Sequence, residues 1–218
     1  MRGNQHRPET LRRREIASAL GYDVGMDHSD DFEMSFWVDC TRSYGEEVKQ
    51  QLYMRYMGVP EVVTWRSPVN YDFGGRSVID IGGGPCSVLL KGENLKPRSV
   101  VVDPGDYPDW VLMRYSQAGI IWLKIEGEDL ELDAGANFDL ALIYNCLQHC
   151  RSPEKIVVNA LEASRGKLKI FEWVDIPPHP GHPHCLRASD LERWTGQKGE
   201  VVSLHGEYGC SGRAWVLR

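Results

Sequence analysis

VIDIGGGPCS, residues Val78 to Ser87, is the stretch on which the reading of this chain turns. A short apolar run that flows directly into three glycines reads as a buried strand followed by a loop whose backbone comes close to a ligand. In an open α/β sheet, ligands sit beyond the carboxyl ends of the strands, at the turn into a helix, so a helix is expected after the loop. Nineteen residues beyond Gly84, a second run, SVVVD, ends in Asp103. A carboxylate at that interval accepts hydrogen bonds from both hydroxyls of a ribose. Taken singly, each feature has a plainer reading: a tight turn for the glycines, a helix N-cap for Asp103, a partner of a buried Arg for Asp80. Their combination points to an adenosine-containing ligand.

Outward from this stretch the same rhythm continues. GIIWLKI (119–125), FDLALIY (138–144) and KLKIFEW (167–173) are further short apolar runs, and continuous runs of this kind suit strands covered on both faces. Between them lie helix-length pieces such as SPEKIVVNALEASRG (152–166), with Ser152 as N-cap and Pro153 at the first helical position. Alternating strands and helices make a parallel sheet with helical crossovers. The tail departs from this, since EVVSLHG and GRAWVLR, joined by EYGCS, read as an antiparallel hairpin. The expected fold is therefore α/β, a Rossmann-like, mostly parallel sheet of about seven strands that ends in a hairpin. Upstream, residues 9–20 and 45–58 carry helical patterns, residues 22–36 are acidic and irregular, and 60–76 reads as a loop. The expected organisation is a single domain, with residues 1–75 as an N-terminal helical hood and 76–218 as the core. Tyr22, Phe32, Phe36, Trp37, Tyr44, Tyr53 and Tyr56 give the hood its aromatic character.

The whole chain, 218 residues with 42% hydrophobic and 26% charged, has the composition of a globular protein. Twenty-five basic residues against 31 acidic ones leave a net charge of -6, so a nucleic-acid partner is not expected. Arg12, Arg13 and Arg14 suit either a solvated helix face or a phosphate contact. No segment reaches the ~18 consecutive apolar residues of a membrane span, and the basic start has no apolar run behind it. Six cysteines, Cys40, Cys86, Cys146, Cys150, Cys185 and Cys210, are scattered without a CxxC pair, as expected for reduced thiols in the cytoplasm.

Within the glycine loop the sixth position from Gly82 is Ser87, so the dinucleotide pattern G-x-G-x-x-G fails. D-x-G-x-G, from Asp80, Gly82 and Gly84, fits instead, and an acid before the first glycine is suited to the ammonium group of an amino acid. In these residues the chain resembles the class I S-adenosylmethionine-dependent methyltransferases, over about residues 76–218. The resemblance implies S-adenosylmethionine as cofactor, held by Asp80, Gly82, Gly83, Gly84, Asp103 and Asn145. It also implies that Glu128 and Asp129, in IEGEDLEL (125–132), cup the adenine. His149 and Pro153 match the "H-x-x-x-P" phrase that follows the fourth strand in many members. Cys86 departs from the pattern where many members carry a third glycine. The N/D-P-P-Y/F phrase of nucleic-acid amino-methyltransferases has no counterpart, since Tyr144-Asn145-Cys146-Leu147 stands in its place.

Acceptor chemistry is expected from three histidines. His149 lies just past the fourth strand, where a neutral imidazole can take a proton from an acceptor. His182 and His184 belong to EWVDIPPHPGHPHCLR (172–187), beside the methyl-transfer position in this fold. Together with His179 they suit substrate contacts or a general base, a metal, or plain packing; the expectation is no metal. The expected function is methyl transfer to a small-molecule acceptor. RNA or protein methylation, and a non-catalytic cofactor-binding regulator, are the alternatives.

Overall fold

A computed structural model describes residues 34, 36–37, 43–64, 67–131 and 137–218. The helical pattern at 9–20, and the hood residues Tyr22 and Phe32, lie outside the described residues. In chain order the elements are α1 (Ser43–Tyr56), β1 (Glu61–Thr64), β2 (Ser67–Arg76), β3 (Val78–Ile81), β4 (Gly92–Leu95), β5 (Val100–Val102), α2 (Asp109–Gln117), β6 (Ile121–Leu123), β7 (Leu140–Tyr144), α3 (Pro153–Ala163), β8 (Leu168–Val174), α4 (Ala188–Thr195), β9 (Glu200–Glu207) and β10 (Cys210–Leu217). Short 3-10 turns stand at Gly84–Cys86, Val88–Lys91, Gly127–Asp129 and Leu147–His149.

Seven strands form the main sheet in the order β6-β5-β3-β7-β8-β10-β9. The first five are parallel, and β10 enters antiparallel between β8 and β9. β3 and β7 are neighbours from which the chain proceeds in opposite directions, which makes the gap beyond their ends the switch point where ligands bind. Each residue of β3, β5 and β7 is buried, as their β-branched runs require of strands covered on both faces. Alternation sorts them. Val78, Val101, Leu142 and Tyr144 join the core layer that contains α1 and α2, through Leu52, Tyr53, Val111 and Tyr115. Ile79, Ile81, Val102 and Ile143 join the layer of α3 and α4, with Ile156, Val157, Ala160 and Leu191. The tail hairpin turns at Tyr208 and Gly209, both with positive φ (51° and 76°), the backbone that a two-residue hairpin turn demands.

Two expectations are corrected. Residues 60–76 are not a loop: β1 and β2 pair antiparallel and, with β4, build a separate three-stranded sheet. Val69, Tyr71 and Phe73 alternate along β2, and Tyr71 and Phe73 are buried in the core, so the period of two was present beneath the proline and glycine content. Nor does a helix follow the glycine loop. Two 3-10 turns carry the chain to β4, which lies parallel to β2.

Candidate cofactor and acceptor site

Beyond the carboxyl ends of β3, β5 and β7 lies a cavity of about 750 Å³, walled at those ends by Ile81, Val102 and Tyr144. The glycine loop forms one side. Gly82 has φ +76°, and a Cβ there would stand 2.6 Å from the Cβ of Cys146, so no other residue fits. A Cβ on Gly83 would meet Asp80 Oδ2 at 2.7 Å, which measures how closely the loop folds over that carboxylate.

Asp80 does not line the cavity. It is the third residue of β3 and therefore shares the face of Val78, inside the layer rather than beyond the strand end. Fully buried, it accepts from Ser87 Oγ (2.5 Å) and from Tyr144 OH (2.7 Å), while Oδ1 meets no partner. Burial pushes its carboxyl up to about 7, against the two hydrogen bonds that draw it down. Its work is to hold the loop from behind, not to meet an ammonium group directly.

Other side chains complete that brace. Tyr115 OH donates to the Gly84 carbonyl (2.6 Å) and accepts from Ser87 N (2.9 Å). Tyr144 OH also accepts from Val88 N (3.2 Å), and Ser87 Oγ from Leu89 N (3.1 Å). From α1, Gln50 Nε2 donates to the Cys86 carbonyl at 2.8 Å. Asp103 lies on the cavity wall, one residue past β5. It takes Gly84 N on Oδ2 and Gly105 N on Oδ1, both at 2.9 Å.

Of the expected adenine pair only Glu128 reaches the cavity. Its Oε1 accepts from Ser152 N (2.9 Å), and its Oε2 is buried with no partner. Asp129 points away, exposed, and pairs with Arg151 at 3.2 Å. Adjacent residues of a 3-10 turn face about 120° apart, so the two cannot share one wall. Asn145 lines the cavity with φ 51°, its Oδ1 accepting from Gln148 Nε2 (3.0 Å).

The histidines divide as well. His149 and His182 line the cavity with rings 4.6 Å apart, edge to face. His179 stacks on His182 at 4.2 Å from outside the lining, across a tight turn in which residues 179 and 182 exchange both backbone hydrogen bonds. His184 is not on the wall; its Nε2 contacts the Cys150 carbonyl at 2.6 Å. Burial lowers the pKa of His149, and burial together with His149 and His179 lowers that of His182 to about 4, so both imidazoles are neutral at pH 7. Among the described residues no group of three His, Cys, Asp or Glu is arranged to hold a metal ion.

Sequence reasoning missed the supporting residues. Glu172 of β8 is fully buried and accepts Cys146 N (2.9 Å) and Leu147 N (3.1 Å) on Oε1, with burial pushing its carboxyl up to about 7. Trp173 adds an aromatic ring to the lining. Of the aromatic residues expected in a hood, Phe36, Trp37 and Tyr53 line the cavity, whereas Tyr56 packs on Phe171 away from it; the side chain of Tyr44 lies outside the described residues.

No protein-family model matches the chain, and no curated protein sequence does. Solved structures do. Burkholderia thailandensis 1,6-didemethyltoxoflavin-N1-methyltransferase, solved with 1,6-didemethyltoxoflavin and S-adenosylhomocysteine bound, aligns with a TM-score of 0.52 at 14% identity, over 99% of this chain and 92% of that one. The fold is that of the class I S-adenosylmethionine-dependent methyltransferases. A chain of the complex between the Haloferax volcanii Trm112 methyltransferase activator and its candidate methyltransferase aligns at 0.53 and 11% identity, over 84% of this chain and 96% of that one. The [4+2]-cyclase SpnF aligns at 0.46 and 18% identity over 60% of this chain, which spans about half (53%) of that protein. At these identities the likeness is one of fold. In this chain the first crossover consists of 3-10 turns and β4, and the side-chain brace described above belongs to it. Among the described residues no helix is long and apolar enough to cross a membrane.

Proposed function

We propose that this chain is an S-adenosylmethionine-dependent methyltransferase that acts on a small-molecule acceptor, working in the cytoplasm. The observation that carries the reading is the chemistry of the cavity wall. Among the described lining residues Glu46, Asp103, Asp106, Glu126 and Glu128 face a single cationic side chain, Lys49. A wall of that sign suits a cationic sulfonium with its ammonium group, and opposes the pyrophosphate of a dinucleotide or the phosphates of a nucleic acid.

The residues fit the cofactor at three points. Gly82 and Gly83 line the cavity as bare backbone, because a Cβ on either would run into Cys146 or Asp80 behind the loop. Asp103, on the cavity wall one residue past β5 and fixed by Gly84 N and Gly105 N, presents a carboxylate of the kind that accepts from hydroxyl donors. Glu128 stands on the cavity wall with Oε1 held by Ser152 N, where a carboxylate suits an exocyclic amine. When bound, S-adenosylmethionine supplies an electrophilic methyl group. The chain's own residues then orient and desolvate the acceptor, and His149, neutral and on the wall, takes the proton that the acceptor N–H or O–H gives up.

The reading also makes 1–75 and 76–218 one domain, with the hood as roof. In support, α1 joins the loop through Gln50, pairs Glu47 with Lys91 (2.8 Å), and stacks Tyr53 on Phe171 at 4.5 Å. Titration calorimetry should find S-adenosylhomocysteine bound in the micromolar range and NAD not bound. Asp103→Ala should weaken S-adenosylhomocysteine by roughly 1.5–3 kcal/mol, the scale of hydrogen bonds to a charged group. A preference for NAD, or an unchanged affinity in the variant, would overturn the assignment of the site.

A further inference from the structure

Asp80 is separated from the cavity by a single layer of backbone. Gly82, Gly83 and Gly84 line the cavity on one face, and on the other a Cβ built on Gly83 would stand 2.7 Å from Asp80 Oδ2. Glycine puts no side chain between the two. The carboxyl group is fully buried, with Oδ2 held by Ser87 Oγ and Tyr144 OH and Oδ1 without a partner. Two donors on one oxygen are few for a buried carboxylate, which as a rule is paired with a cation or takes several hydrogen bonds.

The Ser87 and Tyr144 donors favour the ionised form, whereas burial and the charge of Asp103 oppose it, and no cation is among the groups that act on Asp80. Tyr115 and Cys146 also lie within reach of its field, but both are pushed well above their ordinary values and carry no charge at neutral pH. The balance leaves the carboxyl titrating at about 7, so near neutral pH it stands between acid and anion. A cation resting on the cavity face of the glycines tips that balance, because a positive charge one backbone layer away in a protein interior favours the anion.

Resting on the cofactor reading above, we infer that Asp80 is the counter-charge of the bound cofactor: a cationic group of the cofactor lying over the glycine loop drives the Asp80 proton off to solvent without touching the carboxylate, and the site thereby prefers ligands that bring positive charge. Asp80 acts through the loop and makes no contact with the ligand. The empty site holds a proton that the loaded site gives up, so affinity for a cationic ligand rises with pH up to about 7 and levels off above it. Ammonium and sulfonium are the same to a carboxylate at this remove, and the choice of probe separates them.

The test is titration calorimetry of the full chain at pH 6 and pH 8 with three adenosine ligands. S-adenosylhomocysteine carries the ammonium alone, sinefungin adds an amine-bearing carbon at the sulfur position, and 5′-methylthioadenosine carries neither cation. At least one of the two cationic ligands should bind about threefold or more tightly at pH 8 than at pH 6. At pH 7 its binding should release part of a proton, read from buffers of different ionisation enthalpy. 5′-Methylthioadenosine should show neither effect. A dependence equal for both cationic ligands assigns the cation to the ammonium, and one confined to sinefungin assigns it to the sulfur position. Asp80→Asn keeps the size and an acceptor for Ser87 and Tyr144. In it the pH dependence should vanish and the cationic ligand should bind at least about fivefold more weakly at pH 8, with 5′-methylthioadenosine within about twofold. If that variant does not fold, proton release by the unaltered protein decides. The same pH dependence for all three ligands, no proton release, or an equal loss of all three in a folded Asp80→Asn would overturn the inference while leaving the cofactor reading intact. Failure to bind S-adenosylhomocysteine would overturn both.

Discussion

The two crossovers that leave the central strands, one after β3 and one after β7, solve the same problem in opposite ways. After β7 the chain enters α3, eleven residues whose Pro153, Ile156, Val157, Ala160 and Ala163 bury one face. A helix of that length satisfies its own backbone groups, and its side chains are left free to pack. After β3 the chain makes two 3-10 turns and then β4, in a different sheet. Such short turns leave amides and carbonyls without regular partners, and here side chains provide them: Tyr115, Tyr144, Ser87, Asp103 and Gln50 each bond the backbone of residues 84–89. The glycine loop is thus positioned by a buried polar network rather than by the start of a helix. Any attraction it has for a ligand comes from those side chains and the loop amides, without a helix dipole behind it.

That contrast is broken most severely at the loop itself. Gly82→Ala places a methyl group within 2.6 Å of the Cys146 side chain at a φ of +76°. The variant should lose at least about 3 kcal/mol of stability, or roughly 6–12 °C in melting temperature for a chain of this size. Gly166, beyond α3, has φ +82° with nothing near its Cβ position. Gly166→Ala should therefore cost only the backbone strain, about 1–2 kcal/mol. Equal losses in the two variants would mean that the packing of the loop against Cys146 is not what demands Gly82.

Which of these features were legible beforehand follows from where the information lies. The strands were readable because Val78–Ile81, Val100–Val102 and Leu140–Tyr144 are continuous apolar runs, and the hairpin because its turn carries glycine. The first crossover was not. Val88, Leu89 and Leu90 read as the start of a helix, and only tertiary contact explains why it stops: from Gly92 the chain pairs with Tyr71 and Asp72 of β2. In the site, Asp103 and the glycines were found by spacing along the chain. Tyr115, Tyr144, Gln50 and Glu172 come from distant elements, and the local sequence carries no sign of what they face. Asp129 is expected at the site from the acidic segment IEGEDLEL and His184 from the histidine loop after the fifth strand, but neighbouring positions on a turn or loop send side chains in different directions.

An intermediate effect is expected at Tyr144. Asp80 has a folded-state pKa raised to about 7, mainly by burial, above its ordinary value of 3.8. The folded protein therefore holds a proton that the unfolded chain releases, and this contribution declines as pH rises from about 4 to about 7. Tyr144→Phe removes a donor that favours the ionised carboxylate, which extends the decline to higher pH. The variant should lose about 1 kcal/mol at pH 5, where Asp80 is protonated, and about 2–3 kcal/mol at pH 8, where a charged acceptor is left short. Chemical denaturation at the two pH values measures both. A loss independent of pH would show that Tyr144 braces only Val88 and not the carboxylate.

The smallest effect separates two serines that each stand before a helical turn. Ser87 precedes Val88–Lys91, and its Oγ both accepts from Leu89 N and donates to Asp80. Ser152 precedes α3 in the position of an N-cap, yet its side chain makes no capping bond; only its backbone is engaged, the N–H by Glu128 and the carbonyl by Ile156 N. From sequence alone Ser152 was the expected cap, and loss of a capping serine costs about 1 kcal/mol. On the structure the order reverses. Ser87→Ala should cost about 1–2 kcal/mol, because a buried acid and a buried amide lose a shared partner, whereas Ser152→Ala should stay within about 0.5 kcal/mol of the parent. Pro153 already presets the first helical φ and has no N–H to satisfy, which is why α3 starts without help from Ser152. Denaturant midpoints measured on both variants compare the crossovers directly. A Ser152→Ala loss equal to that of Ser87→Ala would mean that the helical crossover depends on local side-chain support as much as the 3-10 one does.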